Sequence, residues 1–411
     1  MRVPAPTALF ALAVVVLPGC DTPEPPPEPT PLVWVDVEPD LCVARGLSTS
    51  TSNLETAYDV LVELGVTSIR GGVHWHRVEQ TPGTFDFSAF DPVIDELLTI
   101  GVEPLSLLAY GNPWASSDPE ADAYYPPDDP ADFAAYAGAT ATHFEGRVSR
   151  YEIWNEQNAG YRFWKPDLSG DPVAYGALFA LAADAIHDAD PTAEVFIGGT
   201  FFHEQFIIGG LEFLASMGPE AWAAADGLAF HPYTFYPPSV PPEFAGSSDT
   251  SLGGGELPLV DMIAQLRAVA DDAGRGDLPL VVTEFGWPTW GVVSAADQAD
   301  WAERSILLGL SQGVGTWCGY TIFNGSTSGA EDRFGMAETS GTLTPYGERM
   351  RDLGVRLEGV QSAALLELPE AQYGVALRGA DGAVRTIVWG SGTLERDDGT
   401  TVELGPTPQG W

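Results

Sequence analysis

Two glutamates, Glu156 and Glu284, stand where a folded chain has little structural use for an acid. Each directly follows an apolar, strand-like run: residues 149–154 (SRYEIW) lead into Asn155-Glu156, and residues 280–283 (LVVT) lead into Glu284. Two carboxyl groups facing each other across a pocket are the smallest set that hydrolyses a glycosidic bond. One protonates the leaving oxygen, and the other attacks the sugar or activates water. Aromatic residues lie near both, Trp154 beside the first and Trp287 just after the second, and their faces suit the apolar faces of sugar rings. One acid after a strand is weak evidence, because ion-paired glutamates are common at the rims of proteins. Two such acids, one with an amide at its side, say more.

For these groups to meet, the strands that carry them must belong to one sheet. From about Leu41 the chain alternates between short apolar runs and longer amphipathic ones. The strand-like runs are 41–47, 68–73, 103–108, 149–154, 194–198, 227–230, 280–283 and 316–323. Helix-like segments separate and follow them, at 53–64, 91–100, 130–144, 172–189, 205–217, 257–272, 296–311 and 346–353. The first carries Leu54, Tyr58, Leu61 and Leu64 at helical spacing with Ser52 as its cap, and the second carries Val93, Ile94, Leu97 and Leu98. Repeated βα units imply parallel strands, because a parallel pair needs a helical crossover. Eight of them predict an α/β fold, a closed (β/α)8 TIM barrel. An open doubly wound sheet is the competing arrangement, but no G-x-G-x-x-G follows the first strand. The barrel domain, read as 33–356, exceeds the ~250 residues typical of this fold. The surplus falls in two loops after strands, 110–129 and 234–256. After about Gly359, short alternating runs are separated by Ala-Asp-Gly and Asp-Asp-Gly turns. They predict a small antiparallel β appendage over 357–411.

In a barrel of this kind, reactive groups sit at the C-terminal ends of the strands. Read in order, those ends offer Arg70, His74, Trp75 and His76; Tyr110, Asn112 and Trp114; Asn155 and Glu156; His231 and Tyr233; Glu284 and Trp287; and Trp317, Tyr320 and Asn324. The residues W-N-E-Q-N (154–158), F-W-K-P (163–166), F-H-P-Y (230–233) and V-V-T-E-F-G-W (281–287) carry a resemblance. This set resembles the clan of retaining glycoside hydrolases built on (β/α)8 barrels. Within that clan it is most similar to the β-xylosidase/iduronidase-type family and its bacterial exopolysaccharide-hydrolase relatives. The resemblance covers about 46–354, with residues 334–347 similar to the clan's usual ending. It implies Glu156 as acid/base, Glu284 as nucleophile, and Asn155 as a ligand of the sugar 2-hydroxyl. It places Arg70, His231 and Tyr233 near the nucleophile. Trp75, Trp287, Trp317 and Tyr320, at strand ends, are expected to contact substrate. No cofactor or metal is expected.

Two readings from other classes remain. His74-x-His76 is a spacing that holds a metal in some barrel hydrolases, but such a site needs further His, Lys and Asp ligands at later strand ends. Lys165 is the sole lysine and follows no strand, and His231 is the one other strand-end histidine. The second is a non-catalytic glycan-binding lipoprotein on the same scaffold, although a mere binder has no need of both glutamates.

The chain of 411 residues carries a formal charge of −40, which repels phosphate backbones and excludes nucleic acid as a partner. The partner expected is a carbohydrate, met by a monomer. Residues 1–19 read as a signal peptide, with Arg2 ahead of an apolar run from Ala8 to Leu17, too short to span a bilayer. The run ends in Leu17-Pro18-Gly19-Cys20, which resembles a bacterial lipobox and implies lipidation at Cys20; the alternative is an ordinary secretion signal. The Pro-rich segment 20–32 reads as an extended spacer, which suits an exported enzyme held at a membrane, on the periplasmic or cell-surface side. Cys42 falls on the first barrel strand and Cys318 on the last, which are neighbours in a closed barrel. Both a disulfide and two separate buried thiols are compatible with that placement.

Overall fold

The computed structural model describes residues 31–45, 53–118, 120–202, 209–233, 239–243, 257–396 and 399–410. Eight strands close into a barrel in chain order. They are Asp40–Val43, Ser68–His74, Glu103–Ala109, Arg150–Asn155, Glu194–Phe201, Gly227–His231, Leu280–Phe285 and Thr316–Gly319. Neighbours are parallel throughout, and the last strand pairs with the first from Asp40↔Thr316 to Val43↔Gly319. Buried on both faces, these strands read as nearly unbroken apolar runs.

The crossover helices begin where the sequence marks them most strongly. Pro130–Phe144 and Pro172–Ala189 each open with proline at a first-turn position, where its missing N–H costs nothing and its φ is already helical. Asp129 caps the first through Ala131 N–H, and Asp171 caps the second through Val173 and Ala174. Ala295–Leu310 starts with a reciprocal Ser294/Asp297 capping box.

Four expectations need correction. Ser52 lies outside the described residues, and the cap position of Leu54–Leu64 is Asn53, which makes no side-chain cap bond. In place of one helix over 205–217 there are Gly210–Ala215 and Pro219–Ala224, because Gly218-Pro219 restarts the helix; residues 203–208 lie outside the described residues. The last barrel strand stops at Gly319 rather than running to 323. There the chain leaves the ladder, and Thr321 and Asn324 pair with the Phe334–Ala337 segment instead. Finally, Val35–Asp36 does not belong to the barrel. It pairs antiparallel with Val360–Leu365 and so becomes the edge of the C-terminal five-stranded sheet, whose other strands are Gln372–Gly379, Val384–Gly390 and Gln409–Gly410. Gly392–Glu395 and Thr401–Leu404 form a separate ribbon.

Cys42 and Cys318, whose Cα atoms are 4.1 Å apart, form a disulfide across the seam between the first and last barrel strands. The signal segment, most of the spacer and Cys20 lie outside the described residues. Among the described residues no helix is long and apolar enough to cross a membrane.

The barrel interior is layered. At its N-terminal end Arg150 pairs with Asp40, which also accepts hydrogen bonds from Thr67, Ser68 and Thr316. Above them Leu105, Phe196, Ala229 and Val281, from four different strands, form an apolar plug. Above the plug the interior turns polar again, and the chemistry begins.

Candidate active site

The first group above the plug is a buried ion-pair network. Arg70, from the second strand, is 2% exposed and makes four hydrogen bonds. Its Nε and Nη2 grip Glu152 at 2.5 and 2.9 Å, Nη2 also reaches Asn155 Oδ1 at 2.8 Å, and Nη1 donates to Glu284 Oε1 at 2.7 Å. Burial works against the guanidinium charge, but Glu152 and Glu284 outweigh it and raise the Arg70 pKa. The forked geometry suits arginine and no other residue.

Glu284 closes the network from the seventh strand. Its Oε2 accepts from Tyr233 Oη at 3.2 Å. Burial alone pushes the Glu284 carboxyl up; His231, Arg70 and the Tyr233 hydroxyl together overcome it and hold the group below the ordinary glutamate value. Tyr233 moves the other way, pushed well above a free phenol by burial and by Glu284, so it keeps its proton and donates.

Glu156 reaches the same space by a break in strand alternation. Successive strand residues face opposite sides, yet Asn155 bonds Arg70 while Glu156 Oε1 lies 3.0 Å from His231 Nδ1. Trp154 and Glu156 have φ of +69° and +48°, left-handed values rare outside glycine. Each such residue costs about 1–3 kcal/mol and persists where its surroundings overdetermine it. Here Trp154 Nε1 is tied to Phe163 O, Glu156 N–H to Gly199 O and Glu156 O to Ala159 N–H. One oxygen of Glu156, one ring nitrogen of His231 and one oxygen of Glu284 all lie within 4.8 Å of one another.

Gly199 makes room for this arrangement. A Cβ there would lie 2.0 Å from His231 Nε2, while its N–H donates to Glu152 at 2.7 Å. Gly199→Ala is expected to push the imidazole off its partners and lower kcat on the order of 10²-fold, with a far-UV circular dichroism spectrum like that of wild type.

Arg70, Asn155, Glu156, His231, Tyr233 and Glu284 therefore converge. Tyr320 stands at their edge, its ring against Phe334 and its hydroxyl accepting from Arg45 Nη1 at 2.5 Å. The three tryptophans do not join them. Trp75 is fully buried among Trp114, Phe133 and Tyr136, with Nε1 on Glu79. Trp317 points outward into the helix layer, because Thr316 and Cys318 take the interior positions of its strand; the space it fills exists because Gly309 has no side chain. Trp287 is 2% exposed and spends its N–H on the Val240 carbonyl. None of the three offers an open face to a sugar. Asn112 and Trp114 likewise serve structure, both donating to the Glu79 carbonyl. Three contributors were missed: Glu152, Thr283 and Gly199. A usable signal for Glu152 is one charged residue inside each of two otherwise apolar runs, Arg70 in 68–73 and Glu152 in 149–154.

The metal reading loses its site. His74 ends its strand and His76 belongs to the short helix Trp75–Val78; among the described residues neither joins a cluster of three ligating groups. The cluster that does exist is Glu156, His231 and Glu284. Its Glu284 oxygens already accept from Arg70 and Tyr233. Burial pushes His74 down to about 4, with His76, Arg77 and Arg70 adding to the shift. An unfolded histidine titrates near ~6.5, so between about pH 4 and 6.5 the unfolded chain binds a proton the fold refuses. Stability therefore falls as pH drops through that window and is complete above it, by up to about 3 kcal/mol. Melting temperatures of His74→Gln are expected to vary less with pH across this range than those of wild type.

A parallel eight-stranded barrel with paired carboxylates at its C-terminal mouth defines the architectural class, that of the (β/α)8 barrels. No family model matches the sequence, and no curated protein matches it. Solved structures share the fold. A family 39 glycoside hydrolase from the gut symbiont Bacteroides cellulosilyticus WH2 superposes with a TM-score of 0.73 at 19% identity, over 91% of this chain and 80% of that one. A monomeric β-xylosidase from Caulobacter crescentus CB15 gives 0.62 at 18% identity, over 88% and 76%. A family 5 enzyme from Streptomyces cattleya, solved with GlcNAc, gives 0.61 at 14% identity, over 79% and 81%.

Proposed function

We propose that the protein is a retaining glycosidase that cleaves O-glycosidic bonds of an oligo- or polysaccharide by double displacement, and that it is exported and held to a bacterial membrane by a lipid on Cys20. One observation carries the catalytic reading: the carboxyl oxygens of Glu156 and Glu284 approach within 4.8 Å. Retaining enzymes hold their carboxyl groups about 5–5.5 Å apart, whereas inverting ones need roughly 6.5–9.5 Å to fit a water between them.

The two acids have different surroundings, which assigns their roles. Glu284, fixed by Arg70 and Tyr233 and held ionised, attacks C1 as the nucleophile. Glu156, with no arginine hydrogen-bonded to it among the described residues and paired with His231, gives its proton to the departing oxygen. Water then enters, Glu156 takes a proton from it, and the bond from C1 to Glu284 breaks with a second inversion. Asn155, braced by Arg70, presents its remaining amide to a sugar hydroxyl. The superposed enzyme described as a β-xylosidase makes β-xylosides the first substrates to try.

A panel of aryl glycosides and polysaccharides tests the reading, with the anomer of the first product followed by NMR. Retention is expected, and inversion would refute the mechanism. Lipid attachment is tested separately, by incorporation of labelled fatty acid into the wild-type chain and its loss in Cys20→Ala.

A further inference from the structure

Three fully buried polar groups lie behind the carboxylate pair: Glu152, Thr283 and His231. They form an unbroken chain. His231 Nδ1 is 3.0 Å from Glu156 Oε1, and its Nε2 is 3.1 Å from Thr283 Oγ1. Thr283 Oγ1 donates to Glu152 Oε1 at 3.1 Å. Glu152 receives further donors on both oxygens, from Arg70 Nε and Nη2 and from Gly199 N–H.

Counting protons fixes the direction of the bonds from Glu152 to the His231 ring. Glu152, gripped by a guanidinium fork, only accepts. Thr283 has one hydroxyl proton, and sending it elsewhere would set oxygen lone pairs against that carboxylate. The proton goes to Glu152, so Thr283 meets His231 as an acceptor, and Nε2 must carry a hydrogen. Nδ1 then faces only carboxyl groups, the acid Glu156 at 3.0 Å and the anion Glu284 at 4.0 Å. Charge points the same way. One guanidinium, Arg70, stands between two carboxylates, the fully buried Glu152 and the part-buried Glu284, and a second cation balances them.

We propose that Glu152 and Thr283 are positioning residues for the acid/base: they hold His231 with both ring nitrogens protonated, so that its Nδ1–H serves the Glu156 carboxylate once the acid proton has left. This rests on the retaining-glycosidase reading. In the first step the bond from C1 to the leaving oxygen breaks, that oxygen takes the Glu156 proton, and a Glu284 oxygen bonds to C1. Glu156 is left as a carboxylate at a largely buried position, and the donor in hydrogen-bond reach of its Oε1 is Nδ1–H. In the second step water supplies its oxygen to C1 and a proton to Glu156, and Glu284 departs. His231 keeps both protons throughout.

Thr283→Val removes the acceptor at nearly constant volume. The Nε2–H then faces a methyl group, the ring sheds that proton, and a charged donor to Glu156 becomes a neutral and weaker one. The experiment compares kcat/KM for phenyl and 2,4-dinitrophenyl β-xylosides in wild type, Thr283→Val and Thr283→Ser, alongside 15N NMR of the histidine rings. Departure of phenol needs the acid, and departure of dinitrophenolate does not. Thr283→Val is expected to lose about 10- to 100-fold on the phenyl glycoside, with a much smaller loss on the dinitrophenyl one, and Thr283→Ser is expected to restore the difference. One-bond N–H couplings are expected at both His231 nitrogens in wild type and at Nδ1 alone in Thr283→Val. Equal losses on both substrates, or a neutral His231 in wild type, would overturn the proposal. If wild type releases phenol from no aryl glycoside, the glycosidase reading fails instead, and the NMR result still decides where the protons lie.

Discussion

Glu284→Gln is expected to stop turnover while leaving the barrel folded. The amide keeps the size of the carboxyl, and its oxygen still accepts from Arg70, so packing around the seventh strand is preserved. What disappears is the anion that bonds to C1, and no other group can supply it: Glu152 is fully buried beneath the pocket, and Glu156 faces His231. Loss of an essential nucleophile costs on the order of 10⁴- to 10⁶-fold in kcat. Steady-state kinetics on an aryl glycoside, with a melting curve on the same sample, decide the matter; wild-type-like hydrolysis would falsify the assignment. The same variant tests the electrostatics. A carboxyl held below its unfolded pKa adds stability that is present at neutral pH and disappears as acid titrates the folded group. Stability of Glu284→Gln should therefore decline less than that of wild type as pH falls below the ordinary glutamate value.

Arg70→Met should do the most damage to the fold. Arg70 is the common partner of Glu152, Asn155 and Glu284, and it is almost wholly buried. Methionine fills much of the volume but leaves Glu152 as a buried charge with a backbone N–H and a hydroxyl for company. Breaking a buried pair from one side typically costs about 3–5 kcal/mol, which denaturant titration can measure. The cause is the stranded charge rather than a lost contact, so Arg70→Met/Glu152→Gln should recover part of the loss. Activity should not return, because Glu284 still lacks its guanidinium. A double variant as unstable as Arg70→Met alone would show that packing, not charge, dominates.

The parts of this molecule legible in the sequence are those fixed by local chemistry. Asp129-Pro130 and Asp171-Pro172 mark helix starts because proline and an N-cap acid act within one turn. Glu156 and Glu284 could be found because a strand end is visible as the place where an apolar run stops. What was not legible depends on register. Trp317 looks like a strand-end aromatic until its neighbours Thr316 and Cys318 are known to face inward. Trp75 looks like a pocket residue until the strand is seen to stop at His74 and turn the indole into the core. Val35–Asp36 offers no local sign that its partner is Val360–Leu365, at the other end of the chain. Glu152 was hidden for a similar reason, since its meaning lies in Arg70, which stands on another strand.

The link between Cys42 and Cys318 adds a constraint of timing. The two thiols are separated by 276 positions, so a chain emerging N-terminus first has made nearly the whole barrel before the second sulfur exists. Until then the first strand has no neighbour on one side, and the cylinder is an open sheet with a free edge. In the chain-entropy account a covalent tie across so long a loop is worth about 5 kcal/mol against the unfolded chain. In a reducing compartment the finished molecule must do without it, holding its seam by the short ladder from Asp40↔Thr316 to Val43↔Gly319 and the side-chain bonds Thr316–Asp40 and Arg45–Tyr320. Protein prepared without oxidation would then be more prone to come apart along that one line, and the order of delivery and oxidation becomes part of how the active site is assembled.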